Sequence, residues 1–239
     1  MQSLNVASFI FLVVIFVLTP RAALRSARQL RRAHADGAPP PRMRIVLSTM
    51  FSLTIIWFLS QMNALSLGRN LFSVADVGLR ELGIGVIGLA VLLLAIPISL
   101  AIRRPDEERR RLIVSLAPRN PREFAVFALL AVMAGIAEES AYRGVAVWIL
   151  TPIFGNILPA MFLSAMAFGV AHAVQGGKTM LMVFAIAVVL HGLVWLTGTL
   201  VIAMVVHAAY DIVAGYAAAQ RAQELGITDE PPPAATTPG

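Results

Sequence analysis

The sequence Gly135-Ile-Ala-Glu-Glu-Ser-Ala-Tyr-Arg-Gly144 places two adjacent carboxylates and one arginine inside an otherwise apolar run, from about Phe124 to Phe154. A charge in hydrocarbon costs about 3 kcal/mol on insertion scales, and intramembrane charges usually mark functional positions. We therefore expect Glu138, Glu139 and Arg143 to form the first part of a polar site within a membrane.

The composition is that of an integral membrane protein. The chain of 239 residues is 58% hydrophobic and 13% charged, with a mean hydropathy of +0.79, whereas soluble domains are about one quarter charged. It has no cysteine, which excludes disulfides, thiolate ligands and a cysteine nucleophile. The net charge of +6 does not indicate nucleic acid as a partner, because the basic residues lie mainly between the apolar runs. The expected partner is the lipid bilayer.

The apolar runs predict an all-α, polytopic membrane protein with about seven transmembrane helices. They are long and lack the period-two alternation of barrel strands. The first is short for a span. The runs are Leu4–Leu18, Ile45–Leu67, Ile84–Ile102, Phe124–Phe154, Ile157–Val174, Thr179–Leu196 and Thr199–Tyr216.

Arginine-rich segments predict the topology. Arg21–Arg44 and Arg103–Glu123 each carry seven arginines and are expected to be loops, the first solvated or interfacial. Cytoplasmic loops collect Lys and Arg. We therefore expect an outside N-terminus and a cytoplasmic C-terminus, in the plasma (inner) membrane of a bacterium. The Pro-rich stretch 218–239 is expected to be a disordered tail.

Ionisable side chains occur within only the last four predicted spans. This asymmetry predicts an accessory membrane region at 1–123 and a core at 124–217 that holds the active site in a bundle of four helices. Gly135 and Gly169 are expected where these helices pack closely. The ionisable residues are Glu138, Glu139, Arg143, His172, His191, His207 and Asp211.

Helical spacing pairs several of these groups. Glu139 and Arg143 are four residues apart and can form an ion pair on one helix face. Glu138 is rotated by about 100° from Glu139, which leaves its carboxylate free for another task. His207 and Asp211 are also four residues apart, so Asp211 could orient the histidine and fix its tautomer.

These residue types suggest the activation of water for hydrolysis. A carboxylate shielded from bulk water can act as a general base near neutral pH, and Glu138 is the candidate. His172 and His207 could hold the water, ligate a divalent metal such as zinc, or donate to a developing oxyanion. The residues alone leave these alternatives open.

Three motifs together resemble the CPBP family of intramembrane metalloproteases (CAAX proteases and bacteriocin-processing enzymes, also called Abi). The family pattern is E-E-x-x-x-R, then F-x-x-x-H, then H-x-x-x-N or D, on successive membrane helices. Here it is matched by Glu138–Arg143, Phe168–His172 and His207–Asp211. The resemblance covers about Phe124 to Tyr216.

The resemblance implies an intramembrane endopeptidase. Glu138 and His172 would activate the attacking water, and His207 with Asp211 would stabilise the oxyanion or bind a metal. Glu139, Arg143 and Phe168 would support them. The substrate would be a membrane-associated peptide or protein, such as a prenylated C-terminus or a bacteriocin leader.

Asp211 differs from the asparagine that the prenyl-protein endopeptidases of this family carry. An ionised aspartate cannot donate to an oxyanion, whereas an asparagine can. The difference favours Asp211 as an orienting group or a metal ligand. It also counts against a prenylated substrate.

The polar residues also allow less specific interpretations. Glu138, Glu139 and Arg143 could be a packing ion-pair network, although one arginine cannot neutralise two carboxylates. His191 lies outside the motifs and is expected to be structural. The alternative function is a non-catalytic membrane protein, such as a proton-coupled transporter, a partner chaperone or an immunity factor. Against transport, the chain shows no paired halves with interrupted helices.

Overall fold

The computed structural model describes residues 5–75, 77–102 and 116–226. Within these ranges there is no β-strand. The helices are α1 Val6–Ala35, α2 Arg42–Ser66, α3 Leu79–Ile102, α4 Pro121–Phe154, α5 Ile157–Ala171, α6 Gly177–Thr197 and α7 Leu200–Glu224. All except α5 are long and apolar enough to cross a membrane. The prediction of an all-α, polytopic membrane protein is therefore confirmed.

Helix α4 lies at the centre of the bundle. Its first half packs against α2 and α7, and its second half packs against α5. Helix α1 covers α5, and α3 packs against α6 and α7. The largest hydrophobic cluster joins Phe11 and Ile15 of α1 to Tyr142 and Val145 of α4 and to Phe168 of α5. Helices α1 and α2 thus pack against the segment of α4 that carries the ionisable residues.

Helix α1 is longer than the first apolar run, and the loop predicted from Arg21 is wrong as far as Ala35. The arginines of this half point outward, while Ala23 and Ala27 are buried where the helix packs on α5. Arginine, alanine, leucine and glutamine are strong helix formers. A π-helical turn at Val14–Leu18 immediately precedes Pro20, whose missing N–H would break a regular helix.

The C-terminal helix also extends further than predicted. Helix α7 ends at Glu224, so residues 218–224 are helical rather than part of the predicted tail. Alanine, glutamine and arginine favour helix here, and Ala222 is buried. Residues 227–239 of the predicted tail and 103–115 of the second arginine-rich segment lie outside the described residues. The domain boundaries stay predictions.

Polar contacts define the two ends of the bundle. At one end, here called the basic end, Arg42 at the start of α2 pairs with Glu123 in the first turn of α4 at 3.1 Å. At the opposite end, the Thr199 hydroxyl donates to the Ser73 carbonyl at 2.6 Å. Both arginine-rich segments therefore lead to the same end, as the topology prediction requires. The side of the membrane on which this end lies stays a prediction.

Two glycines mark the closest helix contacts around the polar residues. A Cβ added at Gly135 would lie 2.6 Å from the Met204 carbonyl oxygen, and one added at Gly169 would lie 3.0 Å from that of Met180. This confirms that both are close-packing positions. The contact at Gly135 brings α7 against α4 one helical turn before the paired glutamates.

Candidate active site

The polar stretch of α4 includes a π-helical segment, Glu139–Val145, in which every residue is buried. A π-turn shifts the backbone hydrogen bonds to i+5, and such turns are frequent at functional sites. The Ser164 hydroxyl of α5 donates to the Tyr142 carbonyl at 2.6 Å, which attaches α5 to this segment. Helical spacing in the sequence did not indicate the π-turn, because apolar residues surround it on all faces.

Glu139 is the most enclosed acidic group of the site. Its Oε1 lies 3.0 Å from Arg143 Nη1 and 2.6 Å from His207 Nδ1. Because a carboxylate oxygen accepts, Nδ1 of His207 carries the proton and donates it to Glu139. The predicted pairing with Arg143 is present. The contact with His207 was missed, because it depends on how closely α7 approaches α4.

The second ring nitrogen of His207 faces two further carboxylates. Its Nε2 lies 3.7 Å from Glu138 Oε2 and 3.5 Å from Asp211 Oδ2. The hydrogen bond that orients the His207 ring is therefore made at Nδ1, with Glu139. Asp211, which was predicted to orient the ring, faces Nε2 at a longer distance.

Exposure rises in one direction across this group. The exposed fraction of the side chain is 0% for Glu139, 6% for His207, 16% for Glu138 and 32% for Asp211. The group is thus closed on the Glu139 side and open on the Asp211 side. Glu138 and Asp211 therefore lie on the more exposed side of the group, and Glu139 lies on the enclosed side.

Phe168 lies between His172 and His207. His172 follows the last residue of α5, and its Nδ1 donates to the Phe168 carbonyl at 2.9 Å. The Phe168 ring lies 4.5 Å from the His172 ring and 6.1 Å from the His207 ring, between centroids. The Arg143 guanidinium lies 4.2 Å from the Phe168 ring centroid. Because Nδ1 of His172 is a donor to a carbonyl, a neutral His172 has its lone pair on Nε2.

The structure gathers the residues of all three motifs on α4, α5 and α7. His191 of α6 is separate from them. It lines a different cavity, where its buried Nε2 has no hydrogen-bond partner.

The described residues do not form a recognisable metal site. Among them, no three His, Cys, Asp or Glu side chains are grouped so that they could hold a metal ion, whereas zinc sites usually have three or four protein ligands. His172 and His207 both use Nδ1 in hydrogen bonds, which leaves one nitrogen each. The predicted divalent metal stays a prediction, and the chemistry below is derived from the side chains.

Comparison with known protein families gives one match. Residues 120–213 match the family model described as type II CAAX prenyl endopeptidase Rce1-like. No curated protein and no solved structure matches the chain. The matched segment begins one residue before α4 and ends two residues after Asp211, so it contains every side chain of the group described above. This match of residues 120–213 confirms the resemblance carried by the three motifs.

Proposed function

We propose that this integral membrane protein is an intramembrane endopeptidase that hydrolyses a peptide bond close to the membrane boundary. The observation that carries the proposal is the position of Glu138, which faces His207 Nε2 across 3.7 Å in a half-enclosed group. This separation is too long for a direct hydrogen bond. It suits two side chains that act on one reacting oxygen or on neighbouring oxygens.

Glu138 acts as the general base in this proposal. It takes a proton from water as the water oxygen attacks the carbonyl carbon, and the carbonyl electron pair moves to oxygen. When the tetrahedral intermediate collapses, the C–N bond breaks and Glu138 returns the proton to the leaving amine. General acid–base catalysis of this kind contributes about 10²- to 10⁴-fold in rate.

The histidines position the reactants. A His207 protonated on Nε2 donates to the oxyanion, while Nδ1 stays hydrogen-bonded to Glu139. A fixed donor in an enclosed site stabilises developing negative charge more than one in water. His172 Nε2 accepts a hydrogen bond from the attacking water, because its Nδ1 is held by the Phe168 carbonyl.

The short helix α5 determines the depth of the proposed site. Its 15 residues span about 22 Å at 1.5 Å per residue, which is less than the roughly 30 Å of a hydrocarbon core. If α5 starts at the opposite end of the bundle, His172 lies within the bilayer, towards the basic end. With the predicted orientation, this is the cytoplasmic side of a bacterial inner membrane.

The proposed substrate is a peptide attached to the membrane. The matched family is described as prenyl endopeptidases, so a prenylated C-terminal peptide is the first substrate to test. An unprenylated peptide of the same sequence and a membrane-anchored leader peptide complete the panel. The comparison separates recognition of the lipid from recognition of the peptide.

The Glu138→Gln variant tests the proposal. We expect purified Glu138→Gln protein to fold normally and to lose cleavage by at least about 10²-fold, measured as peptide release in nanodiscs. The control is Glu224→Gln, which changes a carboxylate that is 61% exposed at the end of α7 and should leave cleavage unchanged. Full activity of folded Glu138→Gln protein would contradict the assigned mechanism. Proton-driven solute flux into liposomes, without cleavage of any peptide, would favour a transporter instead.

A further inference from the structure

The second half of α1 carries a row of arginines on one side. Arg21, Arg25, Arg28 and Arg32 follow one another at intervals of three or four residues. At 100° per residue, this spacing places all four within an arc of about 60° on the helix surface. All four side chains are exposed. This row is called the arginine stripe below.

The opposite side of the same helix is buried. Ala23 and Ala27 lie about 200–240° around the helix from Arg21, and both are buried where this half of α1 packs on α5 and on Ala173–Gln175. The arginine stripe therefore points away from the bundle. Because α1 leads to Arg42 at the basic end, the stripe lies in the part of α1 that is nearest to this end.

The arginine stripe has no acidic partner in the part of the chain that the structure describes. No ion pair joins Arg21, Arg25, Arg28 or Arg32 to an aspartate or glutamate of these residues. The Arg28 Nε donates to the Leu24 carbonyl of the same helix at 3.3 Å. Like charges three or four residues apart on a helix repel one another. An anionic surface beside the stripe would offset this repulsion.

Exposed apolar side chains adjoin the arginine stripe. Val17 and Leu18 are exposed and lie four and three residues before Arg21, so they share its side of the helix. Leu24, three residues after Arg21, is exposed as well. This surface of α1 thus changes from apolar to basic within about one turn. A phospholipid has the same order of apolar chain and charged headgroup, whereas a soluble acidic protein would leave the apolar part uncovered.

We propose that the arginine stripe binds the headgroups of anionic phospholipids in the leaflet at the basic end of the bundle. The lipid phosphates accept hydrogen bonds from the guanidinium groups, and the acyl chains lie along the exposed apolar part of α1. The attraction of a basic residue to an anionic membrane falls off within a Debye length of the surface. Arg21 and Arg25, which are nearest to the apolar part, therefore contribute more than Arg28 and Arg32.

Energy transfer from a labelled cysteine can measure which lipids collect at the stripe. The chain has no cysteine, so Gln29→Cys places a single fluorescent donor at an exposed position beside the stripe. The protein is placed in phosphatidylcholine nanodiscs with a trace of phosphatidylglycerol or phosphatidylcholine that carries an acceptor on its acyl chain. We expect labelled phosphatidylglycerol to be enriched about fivefold over labelled phosphatidylcholine near this donor. A donor at Phe154→Cys, which is exposed at the opposite end of the bundle, should show no enrichment.

Changes within the stripe test the assigned contacts. Replacement of all four arginines by glutamine should abolish the enrichment, and replacement of all four by lysine should keep most of it, because an ammonium group also attracts phosphate. Glutamine and lysine are both good helix formers, so α1 should stay helical in both proteins. The pair Arg21→Gln and Arg25→Gln should lower the enrichment more than the pair Arg28→Gln and Arg32→Gln.

The matched control changes a positive charge elsewhere at the basic end. Arg221 pairs with Glu224 at 2.6 Å near the end of α7, so Arg221→Gln should leave the enrichment unchanged, whereas Arg25→Gln should lower it. Equal losses in these two proteins would mean that only the total charge at this end matters, and the stripe would not be a binding surface.

The remaining outcomes also decide the proposal. Equal transfer to the two labelled lipids from Gln29→Cys would overturn it, as would unchanged enrichment in the folded four-glutamine protein. Transfer to a labelled polyglutamate peptide, without any preference between the lipids, would assign the stripe to a soluble acidic partner instead. If the four-glutamine protein does not fold, the two pairs of changes and the Arg221→Gln control decide alone. None of these measurements depends on peptide cleavage.

Discussion

Two buried histidines on neighbouring helices have opposite surroundings. His207 of α7 is 5% exposed and His191 of α6 is 3% exposed. His207 has three carboxylates within 3.7 Å of its ring nitrogens. His191 lines a cavity whose described lining residues include no carboxylate, and its Nε2 makes no hydrogen bond.

The contacts of the Arg143 side chain belong to the region around His207. Its Nη1 pairs with Glu139, which in turn binds His207. Its guanidinium also lies 4.2 Å from the Phe168 ring centroid, while its Nε and Nη2 make no hydrogen bond. Burial alone therefore does not indicate the role of a histidine in this bundle.

The largest effect is expected from Glu139→Gln, which removes the carboxylate that contacts both Arg143 and His207. Arg143 is fully buried, and removal of its counter-charge should lower the free energy of unfolding by about 3–5 kcal/mol. Thermal unfolding in detergent and the yield of folded protein measure this loss. Cleavage should be lost as well, because His207 then has a weaker acceptor.

A double variant separates stability from chemistry. Glu139→Leu combined with Arg143→Leu removes both charges, and apolar replacement of a buried ion pair is often neutral or stabilising. We expect stability to recover while cleavage stays lost, since Nδ1 of His207 no longer has its acceptor. If cleavage recovered together with stability, Glu139 would serve only to balance the charge of Arg143.

The second prediction compares Gly135, where α7 packs against α4, with Gly192, which follows His191 in α6. A Cβ added at Gly135 would meet the Met204 carbonyl at 2.6 Å, whereas one added at Gly192, next to His191, would meet nothing within 4 Å. Gly135→Ala should therefore destabilise the protein by about 1–3 kcal/mol and should reduce cleavage. Gly192→Ala should stabilise it by about 0.5–1 kcal/mol.

Unfolding measurements on both proteins check this comparison. Equal effects would mean that α7 can move away from α4 without cost. In that case the short contact between Glu139 and His207 could not depend on the helix packing at Gly135.

Much of the fold was predictable because hydropathy and charge are properties of single segments. The apolar runs located the helices, and the motif spacing identified Glu138, His172 and His207 as residues that the fold would bring together. The segment from Arg21 to Ala35 was wrongly predicted to be a loop, because its high arginine content was taken as evidence of one. The buried residues Ala23 and Ala27 show a narrow, small-residue face that packs on α5 while the arginines stay outside.

The features that were missed depend on contacts between helices. The hydrogen bond between Glu139 and His207 joins residues that are 68 positions apart, and α7 packs closely against α4 nearby, at Gly135. The π-turn at Glu139–Val145 likewise has no signal in the spacing of apolar residues. The cavity beside His191 was missed because the residues that line it come from separate helices.

The smallest effect is expected at Asp211, and it tests which carboxylate holds His207. Asp211 lies 3.5 Å from Nε2 and is 32% exposed, so its contact is longer than a good hydrogen bond, and an ion pair between partly exposed groups contributes little. Asp211→Asn should therefore change the rate of cleavage by less than about fivefold, while Asp211→Ala, which also removes the polar group, should cost more. The kcat of both proteins, measured with the peptide that the wild type cleaves best, checks this. A loss of 10²-fold or more in folded Asp211→Asn protein would mean that the negative charge at Asp211 is needed. Glu139 alone would then not be sufficient to orient His207, and the division of the site into a closed, orienting side and an open, reacting side would have to be redrawn.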